Sequence, residues 1–134
     1  MSEISPRGPL VLAPGQGRAY ECGPMLAVFK ADGAETGDRY TVSEWRIAAN
    51  SPGPGAHSHA ENDEVFLVTE GRPSVLVGDR WHDLEAGSVI VIPATIVHDF
   101  ANRTDQPAAL FNVFMPGGFE KNMPAIVQWF QQQG

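Results

Sequence analysis

His57-Ser58-His59-Ala60-Glu61-Asn62-Asp63-Glu64-Val65-Phe66-Leu67-Val68 sets two imidazoles two residues apart and a carboxylate at the head of an apolar run. On extended backbone, residues i and i+2 point to the same face, so His57 and His59 can reach one point. A second stretch, Gly87-Ser88-Val89-Ile90-Val91-Ile92-Pro93, leads to His98 and so brings in the third of the four histidines in the chain. Three imidazole nitrogens and the Glu64 carboxylate form a plausible metal-binding set. That set needs the two stretches side by side.

The wider sequence is that of a β-rich domain. Fourteen glycines and 11 prolines in 134 residues punctuate short runs of Val, Ile, Phe and Leu, the pattern of many short strands and tight turns. With 43% hydrophobic and 19% charged residues, the chain has apolar material for one ordinary core. Strands are expected from Tyr20 to Lys30 and from Tyr40 to Ala48. Further strands are expected along the histidine segment, Glu64 to Thr69, Ser74 to Val77, Trp81 to Leu84, Val89 to Ile92, His98 to Asn102 and Ala108 to Met115. Gly78-Asp79 reads as a hairpin turn. The character changes after Pro116-Gly117-Gly118. There, Ala125-Ile126-Val127-Gln128-Trp129-Phe130 has helical apolar spacing, Asn122 is a candidate N-cap and Pro124 is tolerated in the first turn, which predicts one short helix on the outside of the barrel. Residues 1–18, rich in Pro and Gly, read as an N-terminal arm, and residues 19–134 as a single domain.

The two histidine-bearing stretches resemble the motifs of the cupin superfamily. The first family motif, G(X)5HXH(X)3-4E(X)6G, is met by His57, His59, Glu64 and Gly71, with Ser51 where the opening glycine stands. The second, G(X)5PXG(X)2H(X)3N, is met by Gly87, Pro93, His98 and Asn102, with Thr95 in place of its second glycine. The resemblance covers about residues 40–115, with a motif core at 51–102, and implies an all-β fold: a double-stranded β-helix, the jelly-roll barrel of small single-domain cupins, here with one short C-terminal helix. Pro52-Gly53-Pro54-Gly55 supplies flexibility next to Ser51. Thr95 is more consequential, because a turn glycine often takes a positive φ that a β-branched residue adopts only with strain.

The resemblance implies His57, His59, Glu64 and His98 as ligands of one divalent transition metal, with Glu64 also the candidate catalytic proton carrier. Mixed imidazole and carboxylate donors suit Fe, Mn, Ni, Co, Cu or Zn and do not choose among them, and no thiol stands nearby to suggest a structural zinc site. Glu61 and Asp63 are the alternative carboxylates in the same turn. Phe66, Val68, Phe100, Phe111 and Met115 lie close to the ligands in sequence and are the candidate substrate-pocket residues. His82 has no motif role and reads as a solvent-facing strand residue. Asn102 reads as a turn residue, and Cys22, the single cysteine, as a half-buried strand residue with no disulfide partner.

The family spans several functions, so three readings stand in order: a metal-dependent dioxygenase of the quercetinase-like kind acting on a small oxygenated molecule, a metal-dependent isomerase or decarboxylase of a sugar or keto acid, and a non-catalytic small-molecule-binding module. A net charge of −7 with scattered basic residues argues against nucleic acid and anionic membranes as partners. The polar first residues and the short Leu10-Val11-Leu12-Ala13 run suggest neither a secretory signal nor a membrane span, and a cytoplasmic location is expected. Apolar surface on the arm and the strand edges predict a homodimer.

Overall fold

The computed structural model of the chain describes residues 8–133. Among these residues nine strands, all paired antiparallel, form two facing sheets: β1 (Arg18–Cys22), β2 (Met25–Ala31), β3 (Thr41–Ile47), β4 (Asp63–Glu70), β5 (Ser74–Val77), β6 (Arg80–Asp83), β7 (Val89–Ile92), β8 (His98–Ala101) and β9 (Ala108–Met115). One sheet runs β1-β2-β3-β9-β4-β7 and the other β6-β5-β8. The β5–β6 hairpin turns at Gly78-Asp79, as expected. This is a jelly-roll barrel, closed at one end by a helix, α1 (Met123–Gln133).

Alternation along the strands builds the core. In β9, Ala108, Leu110, Asn112 and Phe114 are buried while Phe111, Val113 and Met115 are only partly so; two-residue periodicity sends the first set inward. Phe29, Ile47, Ile92 and Leu110 are almost fully buried. Each contributes on the order of 1.5–3 kcal/mol by burial. Edge-to-face aromatic contacts run from Tyr20 to Phe29 (5.6 Å), to Trp45 (6.3 Å), to Phe100 (5.9 Å) and to Phe66 (5.8 Å). This line of rings leads from the first hairpin to the histidines.

Five expectations need correction. The segment from Tyr20 to Lys30 is not one strand but a hairpin, because Gly23-Pro24 breaks it and Cys22 pairs back on Met25. Cys22 is fully buried rather than half-buried, packed in the core among Met25 and Ile47. The histidine segment is extended but is no regular strand; a single bridge, His57 to His98, ties it to β8. The helix forms as predicted, yet it is not merely an outside element, since Met123 is fully buried and Ile126, Val127 and Phe130 pack on the core. Asn122, the candidate cap, instead ends a 3-10 turn, Glu120–Asn122, that runs into α1.

Two glycines are required by close approach. A side chain at Gly53 would drive its Cβ to 1.7 Å from the Phe100 carbonyl oxygen, so the loop leading to His57 lies flat on β8 only without one. Gly71, at φ +71°, has the Pro107 carbonyl 2.4 Å from where a Cβ would stand. Thr95 takes φ +77°, the left-handed conformation its family counterpart suggests, and its side chain is exposed. Asn102 is a buried hub: its amide donates to the carbonyls of Ile47, Ala48 and Gln106, and its Oδ1 accepts from the Thr104 amide and hydroxyl.

Candidate metal centre

Backbone pairing puts the three histidines together. His57 N donates to His98 O at 3.0 Å and His98 N to His57 O at 2.8 Å, an antiparallel pair whose two side chains share one face of the sheet. Thr95 N donates to His59 O at 2.7 Å and fixes the other end of the histidine segment. The rings of His57 and His98 lie 4.4 Å apart, those of His57 and His59 5.1 Å, and those of His59 and His98 5.4 Å. Glu64, buried near the start of β4, is an inward position of that strand and completes the group.

One donor atom from each of His57, His59, Glu64 and His98 lies within 4.8 Å of the other three. Donors about 2.1 Å from a shared ion stand at most about 4.2 Å apart. The cluster is therefore within a few tenths of an ångström of closing on one ion. Glu61 stays exposed, and Asp63 turns away to accept the Ala94 amide at 2.8 Å, so Glu64 is the carboxylate that enters the group.

The surrounding hydrogen bonds orient the donors. His57 Nδ1 donates to the Gly55 carbonyl at 2.6 Å and His98 Nδ1 to the Ile96 carbonyl at 2.9 Å. Each leaves its Nε2 lone pair aimed into the cluster. Asn112 Nδ2 donates to Glu64 Oε1 at 2.9 Å, which directs Oε2 toward the histidines. His98 Nε2 and Glu64 Oε2 are 2.6 Å apart, and His59 Nε2 is 3.3 Å from the same oxygen. None of these three buried atoms has a partner in hydrogen-bonding geometry. Buried polar atoms are rarely left so, and here lone pairs converge on one point, which is the environment a cation needs.

Burial and mutual charge bias the protonation of the cluster. Burial pushes the Glu64 carboxyl up, but His98, His59 and the Asn112 hydrogen bond outweigh it and hold it below the usual range. Burial, reinforced by His57 and His98, lowers His59 against the pull of Glu64. For His98 burial also opposes protonation, yet Glu64 and the Ile96 carbonyl raise it overall.

A cavity of about 60 Å³ adjoins the cluster. It is lined by His57, His59, Glu64 and Asn112 on one side and by Trp45, Phe66, Phe100, Phe119, Ile126 and Phe130 on others. Of the expected pocket residues, Phe66 and Phe100 are placed there. Val68 is buried farther along the barrel opposite Leu110, and Met115 stands on the outward-facing set of β9 beside Asp63. Phe111, also outward, lines a separate groove beneath residues 8–15. His82 is exposed on β6 and takes no part. Asn112, Phe119, Ile126 and Phe130 were not anticipated. A polar residue at an inward position of the apolar β9 run was a legible signal for Asn112; the helix residues had none.

Among the described residues no helix is long and apolar enough to cross a membrane. A search of curated proteins returns no match. Many solved structures share the fold. An RmlC-like cupin from Shewanella frigidimarina superposes with a TM-score of 0.69, at 17% identity over 82% of this chain and 93% of that one. KdgF from a Halomonas species gives 0.65 at 17% identity, over 77% and 91%. A sugar phosphate isomerase of the cupin superfamily from Silicibacter pomeroyi gives 0.57 at 24% identity, over 69% and 59%. At these identities the likeness is one of fold. The sequence model of the cupin domain matches residues 43–114, more than half of the chain, and with both motifs folded around one donor cluster the chain belongs to the cupin domain family.

Proposed function

We propose that the chain binds one divalent transition metal through His57, His59, Glu64 and His98 and uses it to oxidise a small oxygenated organic molecule as a dioxygenase. The single observation that carries the metal is the convergence of three buried, unpartnered donor atoms, His59 Nε2, Glu64 Oε2 and His98 Nε2, on one point. When bound, such an ion would supply open coordination positions and, if redox-active, an electron path to dioxygen. Around it this chain's residues have separate tasks. His57 and His98 are held in one tautomer by backbone carbonyls, and Asn112 fixes the Glu64 carboxylate. Glu64, kept ionised, can take the proton of a substrate hydroxyl. Trp45, Phe66, Phe100 and Phe119 exclude water and favour an aromatic or aliphatic body.

The lining also ranks the alternatives. Among the described residues no Lys or Arg and no hydroxyl side chain lines the cavity, and Asn112 is already engaged with Glu64. A sugar phosphate or keto acid needs such groups, so the isomerase and decarboxylase readings rank second and a binding module third. Protein loaded in turn with Fe, Mn, Co, Ni, Cu and Zn and offered a panel of enediols, diketones and flavonols tests the activity. Oxygen uptake with at least one pair, lost in Glu64→Gln, supports a dioxygenase; binding without uptake across the panel rejects it.

We further place the protein in the cytoplasm, and read it as a homodimer. Leu67 of β4 pairs with Val89 of the edge strand β7, and Val65 with Val91. Val89 and Val91 are 61% and 64% exposed, an apolar strip at an open sheet edge that a second copy of this chain would cover. Sedimentation at micromolar concentration should give about twice the 14.5 kDa chain mass, and Val89→Glu with Val91→Glu should return it to one. A wild-type mass of 14.5 kDa overturns the dimer.

A further inference from the structure

The cavity beside the cluster is too small for the substrate class proposed above. An apolar cavity that admits benzene is about 150 Å³, whereas this one holds about 60 Å³. A ring carrying two oxygens does not fit inside this cavity as its walls stand.

The walls are unequal in how they are held. Those made by Phe66, Phe100 and Trp45 belong to strands paired on their neighbours. The opposite wall is Phe119 with Ile126 and Phe130 of α1. The chain before α1 is clamped. Asp32 accepts the amides of Gly118 and Glu120, Thr41 Oγ1 accepts that of Phe119, and Glu120 receives Arg18 and Tyr20. Met123, at the start of α1, is fully buried. Beyond it, among the described residues, no hydrogen bond or ion pair joins residues 124–133 to either sheet; the one side-chain bond there, Gln133 to the Trp129 carbonyl, is internal to the helix. Ile126, Val127 and Phe130 hold the helix by apolar contact alone, with the Phe130 ring against Gly23.

We propose that α1 is a cap pivoting at Met123, and that Ile126 and Phe130 set the size of the molecule admitted to the metal centre. The proposal rests on the metal-centre reading for its ligand but not for its motion. Fixed at one end by a cluster of polar bonds and beyond it by three half-buried side chains, the helix opens at its far end first. Once it closes, Ile126 and Phe130 return water exclusion to the centre.

Two measurements test this. Hydrogen exchange on the metal-free protein should show the amides of residues 126–132 exchanging at least tenfold faster than those of β9; equal protection overturns the pivot. Equilibrium binding to zinc-loaded protein, which cannot turn over by redox chemistry, then compares 4-nitrocatechol with 2,3-dihydroxynaphthalene, the same chelating head with one more ring. Phe130→Ala and Ile126→Ala should raise the affinity for the two-ring probe relative to the one-ring probe by at least tenfold, while Trp129→Ala, on the exposed face, leaves the ratio as it is. A ratio unchanged in both cavity variants, or shifted equally by Trp129→Ala, overturns the size-setting role. Phe130→Leu serves if the alanine variant folds poorly, with a smaller shift in the same direction. Failure to take up zinc defeats the metal reading instead, and the exchange result still decides the cap.

Discussion

Two buried carboxylates in this barrel meet opposite fates. Asp32 and Glu64 are 6% and 5% exposed, and burial raises the proton affinity of both before other groups act. Asp32 is fully answered from within the chain. Its Oδ1 accepts from Gly33 N, Thr41 Oγ1 and Gly118 N, and its Oδ2 from Glu120 N, all at 2.7–2.8 Å. Glu64 receives one such bond, from Asn112, and points its other oxygen at the Nε2 atoms of His98 and His59, 2.6 and 3.3 Å away. The first arrangement is how a fold fastens a loop. The second is what remains when a ligand is expected from outside, and it sits where the two sequence motifs meet.

Substitution should separate the two most sharply. Asp32→Ala strands four donors around one buried position and should cost about 3 kcal/mol or more in denaturant unfolding, with α1 and the 117–122 segment loosened first. Glu64→Gln should do the reverse in metal-free protein. Its new amide can donate to the His98 Nε2 lone pair, so stability should hold or rise by up to about 1 kcal/mol. The same change should weaken metal binding by more than the roughly 10–100-fold typical of losing an outer partner of a ligand. A large loss of metal-free stability in Glu64→Gln would mean that its carboxylate is a structural group like Asp32, and the contrast would collapse.

Acid should act on the fastened site. Backbone and Thr41 hydrogen bonds outweigh burial to hold Asp32 below the usual carboxylate range, while Arg18 does the same for Glu35 and Glu120. Tyr20 donates to Glu120, and Lys121 stands beside the same loop. A depressed folded pKa adds stability above the unfolded value, about 4, which is lost as pH falls through the folded value. The thermal midpoint should therefore be insensitive to these groups above about pH 5 and fall below it, less steeply in Asp32→Asn. An equal slope in that variant would show that Asp32 does not carry the effect.

The smallest effect concerns Thr95. Left-handed backbone in a β-branched residue stores roughly 1–3 kcal/mol, and the exposed side chain returns nothing in packing. Thr95→Gly keeps the Thr95 amide bond to His59 and should raise stability by about 1 kcal/mol after glycine's own entropy cost. A loss would show that the hydroxyl has an unrecognised role in the turn before His98.

The same contrast explains how much of the molecule could be read in its sequence. The donor set was legible because two short segments fix it: His57 and His59 by spacing, Glu64 by its place at the head of an apolar strand, His98 by the run before it. Thr95 marks the limit of such local reading: a β-branched residue there implies a turn that departs from the family's, yet it takes the positive φ and carries the strain. Asp32 was invisible, since its partners at 41, 118 and 120 are distant in sequence and three of its four donors are backbone amides that any residue supplies. Phe111 and Met115 were misplaced by one step of alternation: counting from Asn112 sends both outward. Tyr20 to Lys30 was read as continuous because its apolar residues outweighed the Gly23-Pro24 signal. The cap was missed because helical spacing at 125–130 identifies an apolar face but not the surface it covers.

The central claim, that His57, His59, Glu64 and His98 hold one metal, is tested most directly by elemental analysis of the protein as purified and after reloading with Fe, Mn, Co, Ni, Cu and Zn in turn. One ion per chain is expected with at least one metal. That ion should be lost in His57→Ala and in His98→Ala, retained in His82→Ala, and held progressively less tightly from about pH 7 to pH 5 as imidazole protonates. No ion above background under any loading, or one that survives both ligand substitutions, would contradict it.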